Sequence, residues 1–89
     1  MRNHQLTIIN RLGLHARAAS KLVSAAKGFS STITLCKNSE EVDAKSIMSV
    51  MLLAASQGTV LTLITDGEDE EAAFKCLETL IADRFGEPD

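Results

Sequence analysis

The sequence predicts a small α+β fold of two layers, an antiparallel sheet with helices packed on one face. Three observations lead there. The chain has 89 residues, enough for one domain over 1–89 and not two. Its periodicities alternate in the order β-α-β-β-α-β-α. The elements are short, and strands and helices of such lengths bury their apolar faces by packing as a sheet under a layer of helices. An apolar fraction of 45% is ordinary for a folded chain.

Leu6-Thr7-Ile8-Ile9 reads as the first strand, and Asn10 to Gly13 breaks it. From Ala16 to Lys27 the pattern is helical: Ala19, Leu22, Val23 and Ala26 recur at steps of three and four and line one face. Gly28 is expected to end this helix as a left-handed cap. Thr32 to Cys36 alternates and is rich in β-branched residues, so it reads as a strand. Asn38-Ser39-Glu40 turns the chain into a short return strand, Glu41 to Ala44, whose acidic residues suit an edge. Ser46 is the expected N-cap of a second helix with Val50, Leu53 and Ala54 as its buried stripe and Gly58 as its end. Val60 to Thr65 is the strongest strand pattern and is expected at the sheet centre. After the turn at Asp66-Gly67, the acidic run Glu68 to Glu71 suits the first turn of a last helix, which carries Ala73, Leu77, Leu80, Ile81 and Phe85 inward and ends near Gly86 and Pro88.

Composition excludes several classes of function. A net charge of -3 argues against DNA or RNA as the main partner, because phosphate backbones call for a positive field. With no Trp or Tyr and three Phe, there is no platform for base stacking. The polar start and the absence of any apolar run near the ~20 residues of a membrane span predict a cytoplasmic protein with no membrane insertion. Cys36 and Cys76 have neither disulfide-framework nor metal-ligand spacing and read as reduced thiols. A domain of this size has little room for a deep cavity, so a surface site is expected.

The segment Gly13-Leu14-His15-Ala16-Arg17 carries the chemistry. His15 stands where a helix begins, and a helix start offers backbone N–H groups that lack intrahelical partners. With the helix dipole, the amides of Ala16, Arg17 and Ala18 make an anion site. Arg17 adds a guanidinium whose donors match phosphoryl oxygens. A positive helix end disfavours an imidazolium, which leaves the ring of His15 as a neutral nucleophile. Once phosphorylated, the ring would carry anionic oxygens that the same groups stabilise. Phosphoryl transfer depends mainly on such positioning and electrostatics. No second His, Cys or carboxylate stands at ligand spacing, so no metal and no cofactor are expected, and His4 has no functional context.

Leu12-Gly13-Leu14-His15-Ala16-Arg17-Ala18, followed by a helix and later by Lys45-Ser46-Ile47-Met48, resembles HPr, the histidine-containing phosphocarrier family of the bacterial phosphoenolpyruvate-dependent phosphotransferase system. The resemblance covers essentially the whole chain. It implies an open-faced β-sandwich with four antiparallel strands in spatial order 1-4-2-3 and three helices. It implies that His15 accepts a phosphoryl group on Nδ1 from enzyme I and donates it to a IIA protein or domain, attended by Arg17. Ser46 matches the serine that a dedicated HPr kinase/phosphorylase modifies in many members. A carrier of this kind is not an enzyme by itself and is expected to act as a monomer. One position departs from the pattern: many HPr proteins have proline where this chain has Ala18. Alanine keeps the helix and adds an N–H. It resembles carriers of the nitrogen-related branch, so sugar uptake and nitrogen-related regulation both remain open.

Ile47, Met48 and Met51 form a second apolar group on the second helix, distinct from Val50 and Leu53. They either fill core or form a docking face, for which flexible methionines are well suited. Lys21 and Lys27, with Arg17, are expected to supply a basic rim for acidic partners. Two other readings compete with the carrier: a small stand-alone phosphatase, disfavoured by the single nucleophile, and a regulatory binding module acting through Ser46 and the Ile47-Met48-Met51 patch.

Overall fold

A computed structural model describes residues 1–89. Its elements are β1 (Arg2–Thr7), α1 (Ala16–Lys27), β2 (Thr32–Lys37), β3 (Glu40–Asp43), α2 (Ile47–Leu52), β4 (Val60–Asp66) and α3 (Glu70–Ala82), followed by a 3-10 turn, Arg84–Gly86. The strands form one sheet in the order β1-β4-β2-β3. Every pairing is antiparallel, and β4 lies at the centre between β1 and β2. Along β4, Leu61, Leu63 and Thr65 are buried while Val60, Thr62 and Ile64 are more exposed. This alternation is that of a sheet with one covered face, and it gives the open-faced sandwich that the resemblance implied.

The core joins Ile33, Leu35, Leu61 and Leu63 of the sheet to Leu22 and Val23 of α1, Val50 of α2, and Phe74, Leu77 and Ile81 of α3. Each of these large side chains contributes roughly 1.5–3 kcal/mol by leaving water. All four α1 residues expected on the inner face are buried, with Ala18 beside them.

Several expectations fail locally. β1 begins at Arg2 and its strand geometry ends at Thr7, although Ile8 still exchanges backbone hydrogen bonds with Gly58 and Thr59. The polar Arg2-Asn3-His4 start pairs because β4 offers a full-length partner, and Arg2 and His4 pack on the Phe74 ring. Gly28 is right-handed, at φ -74°, so α1 closes by tightening, with Gly28 N–H donating to the Ala25 carbonyl. α2 stops at Leu52, well before Gly58, and Ala54 is exposed with φ 52°. Ala55 takes the buried position expected of Ala54. β3 runs Glu40–Asp43, one residue earlier than expected. Leu80 is only half-buried, and Phe85 enters the core from the turn beyond α3.

Two connections position the site. Leu14 N–H donates to the Ala55 carbonyl at 2.8 Å, and Lys45 Nζ donates to the Phe29 carbonyl at 2.8 Å. The end of α2 therefore adjoins the start of α1, and the start of α2 adjoins the end of α1. At the other end of the chain, Arg84, Phe85 and Gly86 are all left-handed, at φ 56°, 56° and 78°. Such a conformation costs about 1–2 kcal/mol at each non-glycine residue. Burial of Phe85 and donation from Lys21 Nζ to its carbonyl at 2.7 Å offset that cost. The turn sends residues 87–89 back toward the start of α1.

Candidate functional site

The site is built on the loop between β1 and α1. Asn10 is fully buried, and its carbonyl accepts from Gly13 N–H at 3.1 Å. Its Nδ2 donates to the Gly13 carbonyl at 2.8 Å and to Glu87 Oε1 at 2.9 Å. Gly13 has φ 66°, and a Cβ there would lie 2.5 Å from the Ala55 carbonyl oxygen. Only glycine permits both the turn and the close approach of the 55–56 backbone. The loop is thereby held against the end of α2, and His15 is presented at the first position before α1.

His15 is the N-cap of α1, with extended backbone (φ -71°, ψ 175°), yet its side chain makes no capping hydrogen bond. Ala19 N–H is the first helix amide with a partner, the His15 carbonyl at 2.8 Å, so the amides of Ala16, Arg17 and Ala18 have no backbone acceptor. No acidic residue occupies the first turn. The imidazole Nε2 is hydrogen-bonded to Glu87 Oε2, and Nδ1 has no partner in the chain. The imidazole is 28% exposed. The Asn10 amide first, and His15 second, hold the Glu87 carboxyl below the usual glutamate range. An open hollow of about 580 Å³ is lined by Arg11, Leu12, His15, Ala16, Arg17, Glu87, Pro88 and Asp89.

The residues singled out from sequence fall into two groups. His15, Ala16 and Arg17 line the hollow, and Ala16 and Arg17 are exposed. Ala18 is fully buried. Ile47, Met48 and Met51 are exposed rather than core-filling, and Leu52 at 73% and Leu12 at 59% join them as exposed apolar side chains. Ser46 caps α2, accepting from Ser49 N–H at 3.4 Å. Lys21 is engaged by the Phe85 carbonyl. Lys27 lies at the opposite end of α1 from His15, a helix length of about 18 Å away at 1.5 Å per residue. The basic groups near His15 are Arg11 and Arg17, which line the hollow, and Lys21, whose charge acts on Glu87.

Asn10, Glu87 and Asp89 went unrecognised in the sequence. Asp89 pairs with Arg11 at 3.2 Å, and its carbonyl accepts from Arg11 N–H at 2.6 Å, which straps the tail beside the histidine. The one available signal was Phe85-Gly86, an apolar anchor followed by a turn residue. No spacing rule links Glu87 to His15 across 72 positions.

The fold and site together define a class: an open-faced α+β sandwich that presents a half-exposed histidine at an uncapped helix start. Comparison with known proteins gives the same class a family. The model of the PTS HPr component phosphorylation site matches residues 3–83. A phosphocarrier protein HPr of Xylella fastidiosa is 55% identical over 87 residues, covering 98% of each chain. One from Cupriavidus necator is 54% identical with the same coverage. The crystal structure of HPr-C-His from Thermoanaerobacter tengcongensis superimposes with a TM-score of 0.97 at 46% identity, covering all of both chains. This chain belongs to the HPr family of phosphocarrier proteins of the phosphotransferase system. Such proteins carry phosphoryl groups and are generally not enzymes. No helix of this chain is long and apolar enough to cross a membrane.

Proposed function

We propose that this chain accepts a phosphoryl group on Nδ1 of His15 from phosphorylated enzyme I and donates it to a IIA protein or domain. One observation carries the reading: the half-exposed His15 imidazole, with Nδ1 unpartnered, stands at a helix start whose first amides lack acceptors, beside Arg17. The Nδ1 lone pair forms the new P–N bond while the bond from phosphorus to the donor breaks, its electron pair leaving with the donor. The Ala16, Arg17 and Ala18 amides and the Arg17 guanidinium take the phosphoryl oxygens in this reading. Onward transfer reverses these events at Nδ1. Sugar uptake and nitrogen-related regulation differ in which IIA partner receives the group.

The exposed Ile47, Met48 and Met51, now with Leu52 and Leu12, form the apolar part of the docking face, because α2 ends against the loop that carries His15. Arg17 contributes the basic part beside His15, and Lys27 serves only a partner that reaches the far end of α1. Phosphorylation of Ser46 by an HPr kinase would add charge at the start of α2 and repel an acidic partner with little change of fold.

The test is incubation with phosphoenolpyruvate and enzyme I followed by mapping of the modified residue. An acid-labile phosphate on His15, absent in His15→Ala, is the expected outcome. Equal labelling of His15→Ala would overturn the reading.

A further inference from the structure

We propose that Glu87 is a positioning residue that acts as the counter-ion of the phosphorylated His15 ring, holding the Nε2 proton so that the ring stays cationic until the phosphoryl group leaves. This rests on the carrier reading above. It concerns a tail that lies outside the residues 3–83 matched by the family model.

The placement of Glu87 is built, not incidental. One carboxylate oxygen meets His15 Nε2, and the other accepts from Asn10 Nδ2 at 2.9 Å. Asn10 is fully buried and also donates to the Gly13 carbonyl, so it fixes the carboxylate to the loop that carries the histidine. Phe85 is 1% exposed and anchors the tail, and Arg84 and Phe85 hold left-handed conformations that bring Glu87 into place. The Glu87 side chain is only 16% exposed. Its carboxyl lies below the ordinary range, held there first by Asn10 and then by His15, so it is ionised at neutral pH.

The chemistry follows from counting protons. In the neutral tautomer that transfers, Nε2–H donates to Glu87 and Nδ1 holds the lone pair. When Nδ1 bonds to phosphorus, no proton is displaced, and the ring becomes a cation with Nε2–H still facing the carboxylate. When the P–N bond breaks toward an acceptor, its pair returns to Nδ1 and the neutral Nε2–H ring is regenerated. Glu87 accepts no proton at any point. If Nε2–H were lost to water, the departing group would be an imidazolate, a far poorer leaving group than neutral imidazole. A charge-assisted hydrogen bond to Nε2–H opposes that loss. The other charged groups nearby are Arg11, Arg17 and Asp89 in the same hollow, and Lys21, which also acts on Glu87. Arg11 and Asp89 pair with each other, which leaves Glu87 as the carboxylate in contact with the ring.

The experiment compares the wild-type protein with Glu87→Gln and Glu87→Ala, each phosphorylated with phosphoenolpyruvate and enzyme I. The pH at which the phosphorylated ring releases its Nε2 proton is followed by nitrogen-15 NMR. Glu87→Gln keeps a hydrogen-bond acceptor but not the charge, and is expected to lower the proton affinity of the phosphorylated ring about 10-fold, a shift of about one pH unit. Glu87→Ala should shift it at least as far, and transfer to a IIA protein should slow in the same pH interval. A purely structural role for Glu87 would not move this midpoint. Identical midpoints in wild type and both variants would overturn the counter-ion role while leaving a labelled His15 and the carrier reading intact. Absence of label on wild-type His15 would bring down both.

Discussion

The starts of α1 and α3 are alike in one respect and opposite in the rest. Neither N-cap residue, His15 or Asp69, makes a side-chain cap to its own helix. At the α3 start the Glu70 amide finds the Gly67 carbonyl at 3.2 Å, and the nearby charges suit the helix dipole. Glu70 and Glu71 place negative charge in its first turn, and the Asp69 carboxylate turns outward to accept from Ser30 N–H and Ser31 N–H at 2.9 Å each, and from the Ser31 hydroxyl. That carboxylate joins the loop after α1 to the loop after β4. At α1 the first turn has no acid and carries Arg17 instead, which the helix dipole disfavours. The difference separates a helix start arranged for stability from one left open for an anion. The open amides and the adverse charge at the α1 start are what the carrier reading proposed above uses.

The strongest way to break the contrast is to give α1 the first turn of α3. Arg17→Glu places a carboxylate where the dipole favours it, against repulsion from Glu87 and Asp89 in the same hollow. Stability by thermal unfolding should therefore stay within about 0.5 kcal/mol of wild type. Phosphoryl incorporation from enzyme I should fall by at least ~100-fold, since a donor becomes a repelling charge at the anion site. A variant that folds normally and still accepts phosphate at near the wild-type rate would show that the open start has no bearing on transfer.

The converse change strikes α3. Hydrogen bonds from Ser31 and Ser30 hold the Asp69 carboxyl down at about 2, against an ordinary value near 3.8. A depressed carboxyl contributes stability that is present above the ordinary value and lost as pH falls through the folded one. Wild-type melting temperature should therefore fall between about pH 4 and pH 2, and Asp69→Asn should flatten that limb. At neutral pH Asp69→Asn should melt several degrees lower, with labelling of His15 unchanged. An acid limb as steep in Asp69→Asn as in wild type would assign it to other carboxylates, such as Glu87, which is also held low.

The contrast also explains what could be read from the sequence. The elements, the central place of β4 and the inner face of α1 follow from local periodicity, and each of these was legible. The place of His15 and Arg17 at the start of α1 was legible because helix starts are signalled by local sequence. The caps and tails were not. Gly28 was expected to be left-handed from its residue type, but at φ -74° it only tightens the last turn. Ala54 fills a left-handed position that residue type gave no reason to expect, and it lies at the buckle where α2 meets Gly13. Asn10 and Glu87 are joined to the site only by folding, through a tail whose path depends on Phe85 finding the core. Lys21, expected in a basic rim, is exposed and also donates to the Phe85 carbonyl, a contact that only the folded tail supplies.

The smallest effect belongs to α2, whose start resembles neither of the others. Ser46 does cap its helix, but the contact to Ser49 N–H is long at 3.4 Å, and the helix has only six residues. A weak cap on a short helix limits what its loss can cost. Ser46→Ala should destabilise the fold by about 0.5 kcal/mol in urea unfolding. It should leave labelling of His15 within about twofold of wild type, because the Ser46 hydroxyl bonds only within α2 and makes no hydrogen bond to the loop that carries His15. A phosphate on Ser46 changes charge rather than capping, so its effect should appear in partner affinity and weaken with added salt. If Ser46→Ala itself slowed labelling tenfold, the two helix starts would be coupled through α2 and the loop at Gly13, and the open start of α1 would no longer be an independent site.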